Sequence, residues 1–208
     1  MKSVIFSLMM LTGLAASAQS DKYVEAMKKN LNLFDSAKTT ADYQSLANTF
    51  ERIGEAEKTQ WLPYYYAGLA LASGGWNDPN LDKDANSTRI NTLCDKAAAL
   101  DNNSEIFALR NMSATQQMMV DPQTRWQTYG MQASQDLEEG LKMNPDNPRL
   151  YYLKGESFFN TPPAFGGGKD KAKPVFEKAL ALFKTDNPKP LYPNWGMQRT
   201  IDELAKCQ

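Results

Sequence analysis

The sequence predicts an all-α protein built from antiparallel helix pairs. Three observations carry that reading. Apolar residues recur at helical spacing, as in Ala172, Val175, Phe176, Ala179, Leu180 and Phe183, which make one stripe on a helix. Strictly alternating segments between Asn-Gly or Asp-Gly turns, the mark of a β-hairpin, do not occur. Breakers rich in Pro, Gly, Asp and Asn cut the chain at intervals suited to helices of 12 to 21 residues.

Taken in order, Tyr23–Phe34 and Tyr43–Ile53 place helices at 21–36 and 40–56. Tyr65–Leu71 gives 62–73, with Pro63 in the first turn, where its missing N–H costs nothing. The polar run from Asp78 separates this helix from 84–100. Asp101-Asn102-Asn103-Ser104 ends that element and can cap the next, 104–119. Trp126, Tyr129, Ala133, Leu137 and Leu141 form a stripe over 123–143. Pro145–Pro148 introduces 148–160, and Pro162-Pro163 with Gly166–Gly168 makes the longest break before 169–184. Pro188, Pro190 and Pro193 precede a last helix at 194–206.

Composition narrows the function. The chain has 208 residues, 42% apolar and 23% charged, a globular balance. A formal net charge of −1 offers no footprint for nucleic acid or an anionic membrane. No histidine is present. That removes Ser-His-Asp and Cys-His nucleophile pairs, histidine zinc sites and histidine general bases. Two cysteines cannot make a tetrahedral thiolate site. No cofactor and no metal site is expected, and the chain is not expected to be an enzyme.

The first residues read as an address. Met1-Lys2, the apolar run Val4–Leu14 and the small-x-small pattern of Ala16 and Ala18 resemble a signal peptide cleaved after Ala18. Residues 1–18 are therefore assigned to export, and 19–208 to one helical domain in the periplasm or outside the cell. No cysteine follows the apolar run, so a lipid anchor is not indicated. A disulfide is permitted in that compartment, and whether Cys94 and Cys207 pair stays open.

Internal similarity adds a family resemblance. In 148–187, Tyr151, Gly155 and Phe158 are followed by Ala172, Phe176 and Ala179. Ala133, Leu137, Gly140 and Pro145 end the unit before it, and Tyr64, Gly68 and Leu71 belong to an earlier one. These residues resemble the tetratricopeptide repeat, in which small residues let helices cross closely and large ones fill the holes. The resemblance implies a right-handed superhelix of about four helix pairs with a C-terminal capping helix that includes Trp195. In overall style the chain is similar to exported repeat proteins of the Bacteroidetes group.

That resemblance implies a scaffold that binds a protein or peptide in a concave groove. Its alternative is a small-ligand or transport-accessory protein of a solute-uptake system. On the groove-facing helices, Tyr65 and Tyr152 are the expected partner-binding anchors, with Tyr64 and Tyr151 left for packing. Trp61, Trp76 and Phe165 are further candidates. Phe165 is expected to tuck against the repeats. Gly168-Lys169 fails the phosphate-loop pattern, having Pro163 and Asp170 where glycine and Ser or Thr are required. The acidic positions from Asp78 to Asn86 fail the calcium-loop pattern, which needs glycine at six and glutamate at twelve. Among the carboxylates, Glu138-Glu139, Glu156, Glu177, Asp202 and Glu203 included, nothing marks out a catalytic pair.

Overall fold

The computed structural model describes residues 21–208, so the proposed signal peptide lies outside the described residues. Among these residues there are helices and no strands. The helices are α1 (Asp21–Ser36), α2 (Thr40–Glu57), α3 (Leu62–Asn77), α4 (Lys83–Leu100), α5 (Ser104–Met118), α6 (Pro122–Arg125), α7 (Met131–Met143), α8 (Pro148–Asn160), α9 (Lys169–Phe183) and α10 (Met197–Lys206). A π-helical turn, Trp126–Gly130, joins α6 to α7, so the predicted 123–143 element is one helix interrupted by a bulge. None of the described helices is long and apolar enough to cross a membrane.

Local chemistry explains the ends. Thr39 and Asp42 form a reciprocal capping box at α2. Asp82, Asn103 and Asn147 cap α4, α5 and α8 through their side chains. Helix α3 runs four residues beyond its predicted end, through Gly74 and Gly75. Neighbours fill the space a Cβ would take there: Tyr43 at Gly74 and the Gln116 amide at Gly75. The glycines thus serve close packing and do not stop the helix.

Successive helices pack as antiparallel pairs: α1 with α2, α3 with α4, α5 with α7, α8 with α9. The first members of the later pairs form an inner row, α3 against α5 and α5 against α8. On the outer side, α4 and α7 are parted by a cleft floored by Phe107 and Arg110 of α5. The result is a helical-repeat stack, concave along the inner row. Glycines set the crossings: a Cβ at Gly140 would stand 2.8 Å from Leu150, and one at Gly68 would press into Leu109.

Two differences from the predicted helices matter for function. The last helix begins at Met197, not at residue 194, because Gly196 takes φ +109 and breaks the chain direction. Trp195 consequently lies outside the capping helix. Residues 185–196 instead form a non-helical strap, with a turn in which the Tyr192 N–H donates to Lys189 O. This strap reaches across the inner row to the first half of the chain.

Candidate functional site

The strap and inner row meet in an aromatic cluster. Tyr65 and Tyr66 on α3 follow Trp61, while Tyr152 projects from α8. The Trp195 indole Nε1 donates to Tyr65 Oη at 2.8 Å, and its ring meets Tyr152 edge-on, centroids 6.3 Å apart. Tyr66 Oη donates to Leu191 O at 2.9 Å. Tyr192 stands edge-on to Trp61, which in turn stands edge-on to Tyr65. At the near end of the strap, Arg149 Nη1 holds Asp186 Oδ2 at 2.9 Å.

The predicted anchors therefore face the groove but not solvent. Tyr65 is 0% exposed and Tyr152 7%. Trp61 is buried too. Covering by the strap, 130 residues away in sequence for the Trp195–Tyr65 bond, is the physical reason. Burial raises the phenols of Tyr65, Tyr66 and Tyr152 well above the usual range, so all three stay protonated at neutral pH. Tyr64 packs in the core as expected. Tyr151 packs too, at the half-buried margin of the second core cluster, with the Lys178 ammonium 4.1 Å from its ring centroid.

Below this wall lies a buried charge network. Arg149 Nε donates to both carboxylate oxygens of Glu105, at 2.8 and 2.9 Å, and Asn147 Nδ2 donates to Oε1 at 2.7 Å. Burial pushes the Glu105 carboxyl upward against the pull of Arg149. The network ties the N-terminal turns of α5 and α8 to Asp186, where the strap begins.

Trp76 and Phe165 are separate from the wall. Phe165 is 82% exposed, so it is not tucked against the repeats. Its loop is shaped by Gly166 and Gly168, at φ +86 and +96. The loop amides are already engaged: Gly166 N donates to Pro163 O, Gly167 N to Pro162 O and Gly168 N to Phe158 O. They are turned into the loop and do not form an anion cradle. The acidic run likewise has structural work. Asp82 caps α4, Asp78 accepts from Asn80 N, and Asp84 takes both Nη groups of Arg125.

Trp76 belongs to an apolar end of the molecule that the sequence pattern does not reveal. The C-termini of α3 and α5, the N-terminus of α4 and the π turn converge there. Arg125–Asp84 ties the π turn's approach to α4, Lys83 Nζ donates to Gly75 O, and Met118 Sδ lies against Gly130. These segments expose Trp76, Met119, Val120, Trp126 and Met131, with Trp126 at 52% and Met131 at 62%. For Trp126 the π turn matters: its five residues break the helical stripe on which Trp126 would otherwise align with Ala133 and Leu137.

The outer cleft, 560 Å³, sets charged side chains around an apolar floor of Ala98, Ala99 and Phe107. Asp95, Asp136 and Glu139 line it against one guanidinium, Arg110, which pairs with Asp95. Burial pushes the Asp136 carboxyl up to about 6. A raised carboxyl costs nothing where both folded and unfolded forms are protonated and its full amount above the folded value. Asp136→Asn should therefore raise Tm more at pH 8 than at pH 4.5. Equal shifts at both values would show that Asp136 is not held protonated by the fold.

The described residues thus form a helical-repeat stack with an aromatic inner row covered by the strap and an exposed apolar end. No family model and no curated protein matches the chain. Among solved structures it is similar to the HusA haemophore from Porphyromonas gingivalis, with 35% identity, a TM-score of 0.83, and coverage of 92% of this chain and 95% of that one. The chain belongs to the family of that haemophore.

Proposed function

We propose that this protein binds haem or a related porphyrin and serves its uptake, working outside the cytoplasm after export by residues 1–18. The observation that carries the reading is kinship with a haemophore over nearly the whole of both chains. The exposed apolar end supports it. A porphyrin is a flat apolar disc with two carboxylates on one edge. Trp126, Met131, Met119, Val120 and Trp76 offer the aromatic and thioether surface that such a disc covers. The outer cleft suits it poorly, since three carboxylates there face a dianion.

At the apolar end the iron would meet only weak donors, the thioethers of Met119 and Met131. Histidine is absent, and burial pushes the Cys94 thiol up to about 12. The aromatic-wall phenols are protonated. Affinity then comes from the macrocycle, and metal-free protoporphyrin is expected to bind about as well as haemin. Titration followed by Soret absorbance and tryptophan quenching checks this. Trp126→Ala with Met131→Ala should weaken both ligands by on the order of tenfold or more. Binding of neither ligand by the unaltered protein would overturn the proposal. Unchanged binding by the double variant would remove the apolar end as the site.

The scaffold reading loses ground, because the aromatic wall it relied on is filled by the protein's own strap.

A further inference from the structure

The strap and α10 together form a unit with a definable hinge, contact face and lock. The hinge end is Thr185–Pro188, fixed to α8 through Asp186 and Arg149. The contact face is the aromatic wall, engaged through Leu191, Tyr192 and Trp195. Leu191 holds φ +70, a left-handed conformation that side-chain-bearing residues adopt at a cost. The docked strap is therefore strained at its tip.

The lock is the contact of α10 with α8 and α9. Leu204 and Cys207 pack with Tyr152, Phe176 and Phe183. Within this contact Glu156 Oε1 is buried and has no hydrogen-bond partner. Glu203, Lys206 and Arg199 of α10 and Tyr152 of α8 are the charged or titratable groups that act on it. Lys206 is already bound to Glu203.

We propose that residues 185–208 are a latch over the aromatic wall of the groove, shut while Glu156 is protonated and loosened when Glu156 ionises beside the Glu203–Lys206 pair. An ionised Glu156, itself half-buried, would keep its buried Oε1 without a donor and beside a like charge, a costly state that lifting α10 relieves by admitting water. Burial, with Glu203 adding to it, pushes the Glu156 carboxyl up to about 7. The lock thus acts near neutrality, in the sense that rising pH opens the latch. The groove's wall of Trp61, Tyr65, Tyr66 and Tyr152 is uncovered when it does. The latch operates whether or not the protein takes a porphyrin.

The two cysteines report on it. Cys207 is buried in the latch contact, whereas Cys94 is buried at 0% exposure in α4. Latch opening exposes Cys207 alone. Labelling by a thiol reagent, resolved by peptide mass spectrometry, should be faster at Cys207 than at Cys94. Between pH 6 and 8 the Cys207 rate should rise more in the unaltered protein than in Glu156→Gln, by on the order of tenfold at pH 8. Both proteins share the thiol's own ionisation, so the comparison isolates the lock. Trp195→Phe, which removes the bond to Tyr65 and keeps an aromatic ring, should raise Cys207 labelling and leave Cys94 unchanged. Equal pH profiles for the unaltered protein and Glu156→Gln would overturn the lock. Unchanged Cys207 labelling in Trp195→Phe would overturn the latch itself. Parallel acceleration at Cys94 would mean global unfolding and would overturn it too.

Discussion

Arg149→Ala is expected to lower stability by about 3–5 kcal/mol, the usual result of stranding a buried charge. Arg149 is buried and satisfies Glu105 with paired bonds to both oxygens. Asn147 also donates to Glu105 at short range, with the Tyr65 hydroxyl more distant at 3.5 Å. Without the guanidinium, Glu105 must take up a proton or stay ionised in an apolar surround. Either course costs free energy, and Asp186 at the start of the strap loses its ion pair as well. Urea denaturation measures the effect. The informative control is Glu105→Leu with Arg149→Met. Removing both charges together should recover most of the loss, because the pair's desolvation penalty disappears with it. A double variant as unstable as the single would place the role of Arg149 in packing.

Gly155 carries the second large effect. A Cβ there would lie 2.5 Å from Cδ1 of Phe176, closer than real side chains approach. Phe176 cannot step aside, being 0% exposed and bounded by the Tyr152 and Phe159 rings. Gly155→Ala is expected to cost about 1–3 kcal/mol through forced displacement of α9 from α8. Gly155→Trp should prevent the α8–α9 pair from forming at all, which would remove the cooperative thermal transition seen by circular dichroism. An unchanged melting temperature for the tryptophan variant would contradict the close crossing of these helices.

The helices are legible because each has a face of apolar residues at helical spacing, a local property. Gly155 and Phe176 are legible together, since their spacing within the repeat implies the contact found between them. Tyr65 and Tyr152 do lie toward the inner row, yet their burial is not written in the local pattern. The cover comes from the strap, and no periodicity links positions 65 and 195. One signal is present all the same. Residues 62–76 are apolar almost all the way round, and nearly every residue of α3 is buried. A helix with no polar face is covered on all sides, so a further layer over α3 is implied. Trp126 falls on the apolar stripe of 123–143 only if that helix is unbroken. Five residues of π-helix shift the register there, and Trp126 and Met131 stand outside the packed face. Trp195 is excluded from the cap by Gly196, whose positive φ separates strap from helix.

Repeat stacks of this kind are ordinarily quasi-linear, each unit touching only its neighbours, so that folding starts anywhere and stability accumulates unit by unit. The bonds from Leu191 to Tyr66 and from Trp195 to Tyr65 span 125 and 130 residues and close that line into a ring. Ring closure exchanges local order for long-range order. The early pairs cannot reach their final packing until residues 186–195 have arrived, and the entropy of closing so large a loop slows the last step. In return the ends of the stack melt together instead of fraying separately. Until that tail arrives during synthesis, α3 displays an uncovered aromatic face that other factors can hold.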